Sequence, residues 1–154
     1  MRVLLLDKVH ELFKEQFLKW GWQVEQGYDW THERLIQEIS SFDGLVLRSR
    51  FILDGDLLSK ASKLKFIARP GAGLENIDLD YCNSNNIKVF RSPEGNRDAV
   101  AEHIIGMLLA LLTNLVKADK EVRSGFWNRE TNRGYELKGK TIGIIGYGYM
   151  GKCF

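Results

Sequence analysis

Two glycine-rich segments are the parts of the sequence whose spacing most clearly implies chemistry. Gly146, Gly148 and Gly151 form G-x-G-x-x-G directly after a run of β-forming residues, the position that this pattern takes in dinucleotide-binding folds. There the first glycine allows a tight turn, the second lets backbone approach a pyrophosphate, and the third lets a helix pack on the strand. The pattern favours a nucleotide-binding turn over a merely tight one.

The second segment is Arg69-Pro70-Gly71-Ala72-Gly73, which also follows a β-like run. Ligands of open α/β sheets bind outside the carboxyl ends of the strands, and a glycine-rich turn there can direct N–H groups at an anion. Arg48 follows another β-like run and should lie at the same edge. Two arginines beside such a turn suit a carboxylate or phosphate, although solvated arginines beside an ordinary turn remain an equal alternative.

Other reactive groups form no recognisable site. His10-Glu11 is followed by Lys14 rather than by a second histidine, so the H-E-x-x-H zinc pattern is absent. Cys82 and Cys153 have neither metal nor redox spacing. We therefore expect no metal and no disulfide, and a reducing cytoplasmic location because no secretory pattern opens the chain.

Composition narrows the class of protein. The 154 residues are 44% hydrophobic and 27% charged, with a formal net charge of +2. These values are ordinary for a globular protein and give no electrostatic reason to expect nucleic acid as a partner. The longest apolar run, Ile104 to Val116, is shorter than the roughly 20 residues of a membrane span. We expect no membrane segment.

Strand-like and helix-like segments alternate along the first ninety or so residues. The apolar runs without alternation read as buried strands, and they are Arg2–Leu6, Leu45–Leu47, Leu64–Ala68 and Ile87–Phe90. The segments between them have helical spacing, with caps expected at Thr31 and Asp54. This alternation predicts βαβ units and an open, doubly wound parallel α/β sheet.

The rest of the chain predicts a long helix and one more strand. Asn96 is a candidate N-cap for a helix from Arg97 to Ser124, and Gly125 should end it. Because the middle of this helix is apolar nearly all round, we expect a partner surface to cover it. Thr141–Ile145 then reads as a short strand leading into the Gly146–Gly151 segment.

Taken together, the motifs resemble the D-isomer-specific 2-hydroxyacid dehydrogenase family over nearly the whole chain. The matching segments, in order, are Arg48-Ser49, Arg69 to Asp78, Ser92 to Asn96, Ala99 to His103, Gly125 to Trp127, Glu136 to Thr141, and Gly146 to Gly151. Within the family the resemblance is closest to the members that oxidise D-3-phosphoglycerate. It covers only the N-terminal part of such an enzyme.

The resemblance implies a fold and a set of binding residues. It implies a flavodoxin-like substrate domain over 1–92, followed over 93–154 by a linker helix and the beginning of a truncated NAD-binding Rossmann domain. The implied substrate-binding residues are Arg48, Ser49, Arg69, Gly71, Ala72, Gly73 and Arg129, the last reaching a dimer partner's site. The implied NAD-binding residues are Asn96, Val100, Gly146, Gly148, Tyr149, Met150 and Gly151. The long helix corresponds to the region through which the family forms homodimers.

The implied activity is hydride transfer between C2 of a small anionic D-2-hydroxy acid and NAD. The three candidate phosphate-binding arginines, Arg48, Arg69 and Arg129, favour a phosphorylated acid. The family's catalytic Arg, Glu and His come from segments after Phe154, so no catalytic residue is expected here and the 154-residue chain alone should be inactive. Ala72 stands where some relatives have Thr, and Glu75 replaces a commoner Asp. The alternatives are a glyoxylate or hydroxypyruvate reductase, a dinucleotide-sensing corepressor-like binding protein and, least favoured, a phospho-receiver domain.

Overall fold

A five-stranded parallel sheet organises the first of the two compact units seen in the computed structural model, which describes all of Met1–Phe154. The units are Met1–Gly95 and Asn96–Phe154. The strands are β1 (Arg2–Leu5), β2 (Gln23–Gln26), β3 (Gly44–Val46), β4 (Phe66–Arg69) and β5 (Lys88–Arg91). Their order is β2-β1-β3-β4-β5, the flavodoxin-like arrangement. The predicted α/β parallel sheet is confirmed.

Four helices connect these strands, namely α1 (Leu12–Lys19), α2 (His32–Glu38), α3 (Gly55–Leu58) and α4 (Leu79–Ser84). Thr31 accepts a hydrogen bond from Arg34 N (3.3 Å), and Asp54 accepts one from Leu57 N (2.9 Å), so both predicted caps are confirmed. Asp78 caps α4 through Tyr81 N (2.9 Å). Each cap satisfies a helix N-terminal N–H that has no intrahelical acceptor.

Alternate side chains of the strands enter two different apolar cores. Leu4, Leu45 and Ile67 pack with α2, α3 and α4 on one face of the sheet. Val3, Leu5 and Val46 pack with α1 on the opposite face. Because both faces are covered, these strands are apolar without alternation, which is the reason that the sequence pattern identified them.

Strand β2 is the element of this sheet that sequence analysis missed. Its residues, Gln23–Gln26, include only one apolar side chain, Val24. It pairs with β1 alone, at the edge of the sheet, where a strand needs less apolar surface. An edge strand of this composition has no apolar run for a sequence pattern to detect.

The predicted long helix is wrong as a single element. The second unit contains α5 (Arg97–Leu112) and α6 (Leu115–Arg123), bent by 62°. At the break, Asn114 has the left-handed φ of 54°, and Tyr135 N donates to Leu112 O (2.9 Å). Gly134 fits beside the break because a Cβ there would lie 2.7 Å from Thr113 Cα. The Tyr135 N–H, which is distant in sequence, thus binds the Leu112 carbonyl. In a continuous helix this carbonyl would accept a hydrogen bond from within the helix.

Two further expectations for the second unit meet different outcomes. Gly125, with φ +83°, follows α6 and its C-cap Ser124, as predicted. Thr141–Ile145, by contrast, forms no strand, and Ile145 is fully exposed. A strand requires a neighbour for its N–H and C=O groups, and no strand pairs with this segment.

No single helix is long and apolar enough to span a bilayer, although the bent pair α5 and α6 reaches that length and composition together.

Candidate functional site at the carboxyl edge of the sheet

The two loops that follow β3 and β4 form the candidate site. These strands are neighbours, with Val46 paired to Ala68, so the residues that follow them emerge side by side. Arg48 follows β3, and the Pro70–Gly73 turn follows β4. The structure therefore brings together the Arg48 and Arg69 segments, as sequence analysis predicted for this edge.

Asn76 joins the two loops. It is only 8% exposed, and its Nδ2 donates to Arg48 O (3.1 Å) and Phe51 O (2.8 Å). Its Oδ1 accepts from Arg69 Nε (3.2 Å). A buried amide that satisfies both of its ends in this way fixes the spacing of the loops. The role of Asn76 was not predicted from the sequence, because no neighbouring residue marks the partners of a buried amide.

Arg69 is held against the glycine turn rather than extended into solvent. Its side chain is 11% exposed, and Nε also donates to Arg48 O (3.0 Å). Its Nη2 donates to Glu75 Oε1 (3.1 Å). Its Nη1 faces the turn, since a Cβ at Gly71 would lie 3.0 Å from it. Nη1 of the guanidinium thus lies beside Gly71, at the start of the Gly71–Gly73 turn.

The turn itself is anchored through its carbonyl groups. Ser92 N donates to Gly71 O (3.0 Å) and Arg91 Nη1 donates to Ala72 O (3.1 Å). The N–H groups of Gly71, Ala72 and Gly73 donate to no acceptor in the chain. A turn with engaged carbonyls and available N–H groups, beside an arginine, has the donor set that binds a carboxylate or phosphate.

Arg48 and Ser49 are exposed at the rim of this turn. The Arg48 backbone N–H donates to Asp7 Oδ2 (2.6 Å), which fixes the start of the loop. The Arg48 guanidinium forms no hydrogen bond or ion pair with the chain. It therefore remains available to an anion.

Arg50 is a second residue that sequence analysis missed. Its guanidinium donates to Leu6 O (2.9 Å) and Gly27 O (3.3 Å), and also to the carbonyls of Tyr28 and Trp30. These carbonyls belong to the loops that follow β1 and β2, so Arg50 ties them to the loop after β3. Arg50 lies two residues after Arg48, but the sequence does not distinguish an arginine that binds backbone carbonyls from one that binds a ligand.

The second unit holds the remaining predicted residues. Arg129 is exposed just before the 3-10 helix Glu130–Asn132. Asn96 precedes α5 but, contrary to expectation, forms no side-chain cap; only its carbonyl is used, by Val100 N (3.0 Å). Val100 is half-buried in the first turn of α5.

The Gly146–Gly151 segment forms bends and turns, without the preceding strand that its spacing predicts. Gly146 has a φ of +92°, which only glycine adopts easily. A Cβ at Gly151 would lie 2.5 Å from Gly146 O, whereas one at Gly148 would meet nothing within 4 Å. Tyr149 is exposed and Met150 half-buried, and Cys153 N donates to Met150 O (3.0 Å). The residues present thus fit a dinucleotide phosphate turn, with Gly148 as the open position.

Neither cysteine is prepared for nucleophilic chemistry. Burial raises the pKa of the Cys82 thiol, and Asp78 adds to that effect. Partial burial is the larger cause that raises the pKa of the Cys153 thiol, and a hydrogen bond with Asp98 is the next. Both groups are therefore thiols rather than thiolates near neutral pH. No three side chains among His, Cys, Asp and Glu are grouped to hold a metal ion.

Comparison with known proteins decides the family. Residues 3–147 match the family model of the D-isomer specific 2-hydroxyacid dehydrogenase catalytic domain. The chain belongs to this family. It is 36% identical over 151 residues to the D-3-phosphoglycerate dehydrogenase of Archaeoglobus fulgidus, which covers 98% of the chain but 29% of that relative. The chain therefore spans less than a third of the length of this curated relative.

Solved structures of relatives have the same fold. An NAD-dependent formate dehydrogenase from Staphylococcus aureus in complex with NAD is 26% identical, with a TM-score of 0.83 over 99% of this chain and 51% of that one. An acyclic imino acid reductase in complex with NADPH and D-Arg is 26% identical, with a TM-score of 0.89 over the same shares. Members of the family thus use NAD(H) or NADPH.

Proposed function

We propose that Met1–Gly95 is the substrate-binding part of an NAD-dependent D-3-phosphoglycerate dehydrogenase, with the Gly71–Gly73 turn as the subsite for the substrate carboxylate. The observation that carries this proposal is the position of Arg69 Nη1 beside a turn whose three N–H groups have no acceptor in the chain. Charge-assisted hydrogen bonds from a guanidinium and backbone N–H groups together suit a planar carboxylate. The similarity to D-3-phosphoglycerate dehydrogenases supports the choice of acid.

Arg48 is our candidate for the substrate phosphate. Its carbonyl is bound by Arg69 and Asn76, so its Cα is fixed next to the turn. Its own guanidinium is free. A second cation beside a carboxylate subsite favours an acid with a second anionic group. Ser49 and Arg129 remain proposed contributors to this binding, Arg129 from a partner subunit.

In the full-length protein, we propose that Gly146, Gly148, Gly151, Tyr149 and Met150 hold the dinucleotide phosphates, with Asn96 and Val100 nearer the nicotinamide. Bound NAD would accept the hydride released from C2 as a hydroxy acid becomes a keto acid. Residues 1–154 bind and orient the anion. Because the resemblance assigns the acid–base histidine to a segment after Phe154, we propose that this chain alone transfers no hydride.

Two further parts of the proposal concern assembly and location. Leu111, Leu115 and Val116 are exposed on α5 and α6 at 76%, 59% and 76%. Such a surface supports a homodimer through these helices. The two unpaired cysteines are compatible with a reducing cytoplasm.

The test is a titration of the ¹⁵N-labelled chain with D-3-phosphoglycerate and, separately, with D-lactate at constant ionic strength. We expect the N–H resonances of Gly71, Ala72 and Gly73 to shift with both acids. Arg48→Ala should weaken phosphoglycerate binding by about 1.5 kcal/mol, or about tenfold, and leave D-lactate binding nearly unchanged. Lys63→Ala, at an exposed position outside the site, is the control.

Three outcomes would count against this function. Equal losses on both acids in Arg48→Ala would assign Arg48 to the carboxylate. In a parallel titration with glyoxylate, binding tighter than that of phosphoglycerate would favour a glyoxylate or hydroxypyruvate reductase. If the N–H resonances of the turn shift with no acid, the turn is not a substrate subsite, and a dinucleotide-sensing binding protein is favoured.

A further inference from the structure

The Arg69–Glu75 ion pair occupies the same place as the proposed carboxylate subsite. Arg69 Nη2 lies 3.1 Å from Glu75 Oε1, and the arginine side chain is 11% exposed while the glutamate side chain is 73% exposed. The cation is therefore fixed in the protein, while its anionic partner lies on the solvent side. Nothing else in the chain pairs with the Arg69 charge.

The Glu75 carboxylate also lies over the glycine turn. A Cβ at Gly73 would come within 2.8 Å of Glu75 Cδ and 3.0 Å of Oε1. The absence of a side chain at Gly73 is what leaves room for the carboxylate. Glu75 thus places a carboxylate against both components of the subsite, the Arg69 guanidinium and the Gly71–Gly73 backbone.

We propose that Glu75 is a built-in competitor for the substrate carboxylate, which occupies the Arg69 subsite in the free protein and is displaced when an anionic ligand binds. This inference rests on the proposed function. A largely buried guanidinium needs a counter-charge, and Glu75 supplies it when no ligand is bound. A second carboxylate on the same guanidinium would repel Glu75 at a distance of a few ångströms. The two anions therefore compete for Arg69.

Displacement of Glu75 requires little rearrangement. Its side chain is mostly exposed and has no hydrogen bond other than that from Arg69. Arg69 itself stays in place, because Nε remains bonded to Arg48 O and Asn76 Oδ1. Because the glutamate end of this ion pair is solvated, the pair contributes little free energy, and Glu75 lowers ligand affinity modestly rather than blocking the subsite.

The experiment compares the wild-type 154-residue chain with Glu75→Gln and Glu75→Ala in the NMR titration with D-lactate and D-3-phosphoglycerate. Both variants remove the competing charge, and we expect both acids to bind about two- to fivefold more tightly. Glu38→Gln is the matched control, because it removes an exposed carboxylate on α2 and changes the net charge equally. Thermal unfolding of each variant establishes that the fold is retained.

The outcomes distinguish the competitor role of Glu75 from the proposed function of the turn. Tighter binding in both Glu75 variants but not in Glu38→Gln supports the competitor role. Weaker binding in the Glu75 variants, with shifts still at Gly71–Gly73, would show that Glu75 positions Arg69 for the ligand, and it would overturn this inference while leaving the proposed function intact. Unchanged binding would also overturn it. No shift at the turn in any variant would overturn the proposed function itself, and this inference with it.

Discussion

Gly44 and Phe66 are paired across β3 and β4, and the Phe66 ring lies directly against the Gly44 backbone. A Cβ at Gly44 would overlap the ring, with Phe66 Cε2 at 2.8 Å. The same ring contacts Phe17 and Trp22 at centroid distances of 6.4 and 5.9 Å. The absence of a side chain at Gly44 therefore allows the sheet and α1 to pack around one aromatic cluster.

We expect Gly44→Ala to lower the free energy of unfolding by about 1–3 kcal/mol, because the added methyl group overpacks this core. Urea denaturation measures the loss. Gly143→Ala is the control, since a Cβ there meets nothing within 4 Å, and it should change stability by less than about 0.5 kcal/mol. Adding Phe66→Leu to Gly44→Ala should recover part of the loss. Additive losses in the double variant would show that the ring is not the obstacle.

Asn76→Ala should destabilise the candidate site as well as the fold. It leaves Phe51 O without its side-chain donor and removes one acceptor from Arg69, at a cost of about 1–3 kcal/mol. The exposed Asn83, on α4, provides the control variant Asn83→Ala. Denaturation midpoints and the N–H resonances of the Gly71–Gly73 turn should both change in Asn76→Ala alone. Equal effects of the two substitutions would show that Asn76 does not hold the two loops together.

Acid should weaken the fold partly through Asp43. Its hydrogen bond with Lys65, and then that with the Arg2 N–H, hold its pKa below the ordinary 3.8. Since the folded-state pKa is the lower one, this stabilisation is complete above pH 3.8 and is lost as pH falls through the folded-state value. Asp43→Asn should therefore be less stable than wild type at pH 6, with the difference shrinking towards pH 2.

Urea denaturation at several pH values measures this linkage. Asp29→Asn, at an exposed turn position, is the control and should show a smaller pH-dependent difference. A stability difference between Asp43→Asn and wild type that stays constant with pH would contradict the prediction.

The sheet was predictable because its signal is local. Buried parallel strands such as β1 and β3 are short apolar runs, and the caps at Thr31 and Asp54 are single residues before helical spacing. The glycine turn and Arg69 were found for the same reason, since their order along the chain is enough to place them at one edge. β2 was missed because its position at the edge removes the apolar pattern.

The errors come from interactions between distant residues. The break at Asn114 depends on Gly134 and Tyr135, which lie about twenty residues later. The predicted strand at Thr141–Ile145 has the right composition but no partner strand. At the site, Arg69 and Asn76 both donate to backbone carbonyls of the loop after β3, and any residue can supply a carbonyl. No residue type reports such a contact in advance.

The position of Gly134 gives a fourth prediction. Its backbone lies against Thr113 where α5 ends, so Gly134→Ala should separate the two segments and weaken the Tyr135 N to Leu112 O bond. We expect faster hydrogen exchange at the Tyr135 N–H and a loss of about 1–3 kcal/mol. Gly106→Ala, in the middle of α5 where a Cβ meets nothing within 4 Å, should instead be neutral or stabilising. Slower or unchanged exchange at Tyr135 in Gly134→Ala would contradict this account of the break.

The exposed apolar surface of α5 and α6 gives the last prediction, which tests the proposed homodimer. Burying one leucine is worth roughly 1.5–3 kcal/mol, so the exposed Leu111, Leu115 and Val116 provide a substantial driving force for pairing. We expect the wild-type chain to have twice the 17.7 kDa mass of one chain in light scattering coupled to gel filtration. Leu111→Glu combined with Val116→Glu should shift it to the monomer, because two carboxylates cannot be buried unpaired at an interface. Ser62→Glu, at an exposed position in the first unit, should leave the dimer intact. A wild-type chain that is monomeric at high concentration would contradict pairing through these helices.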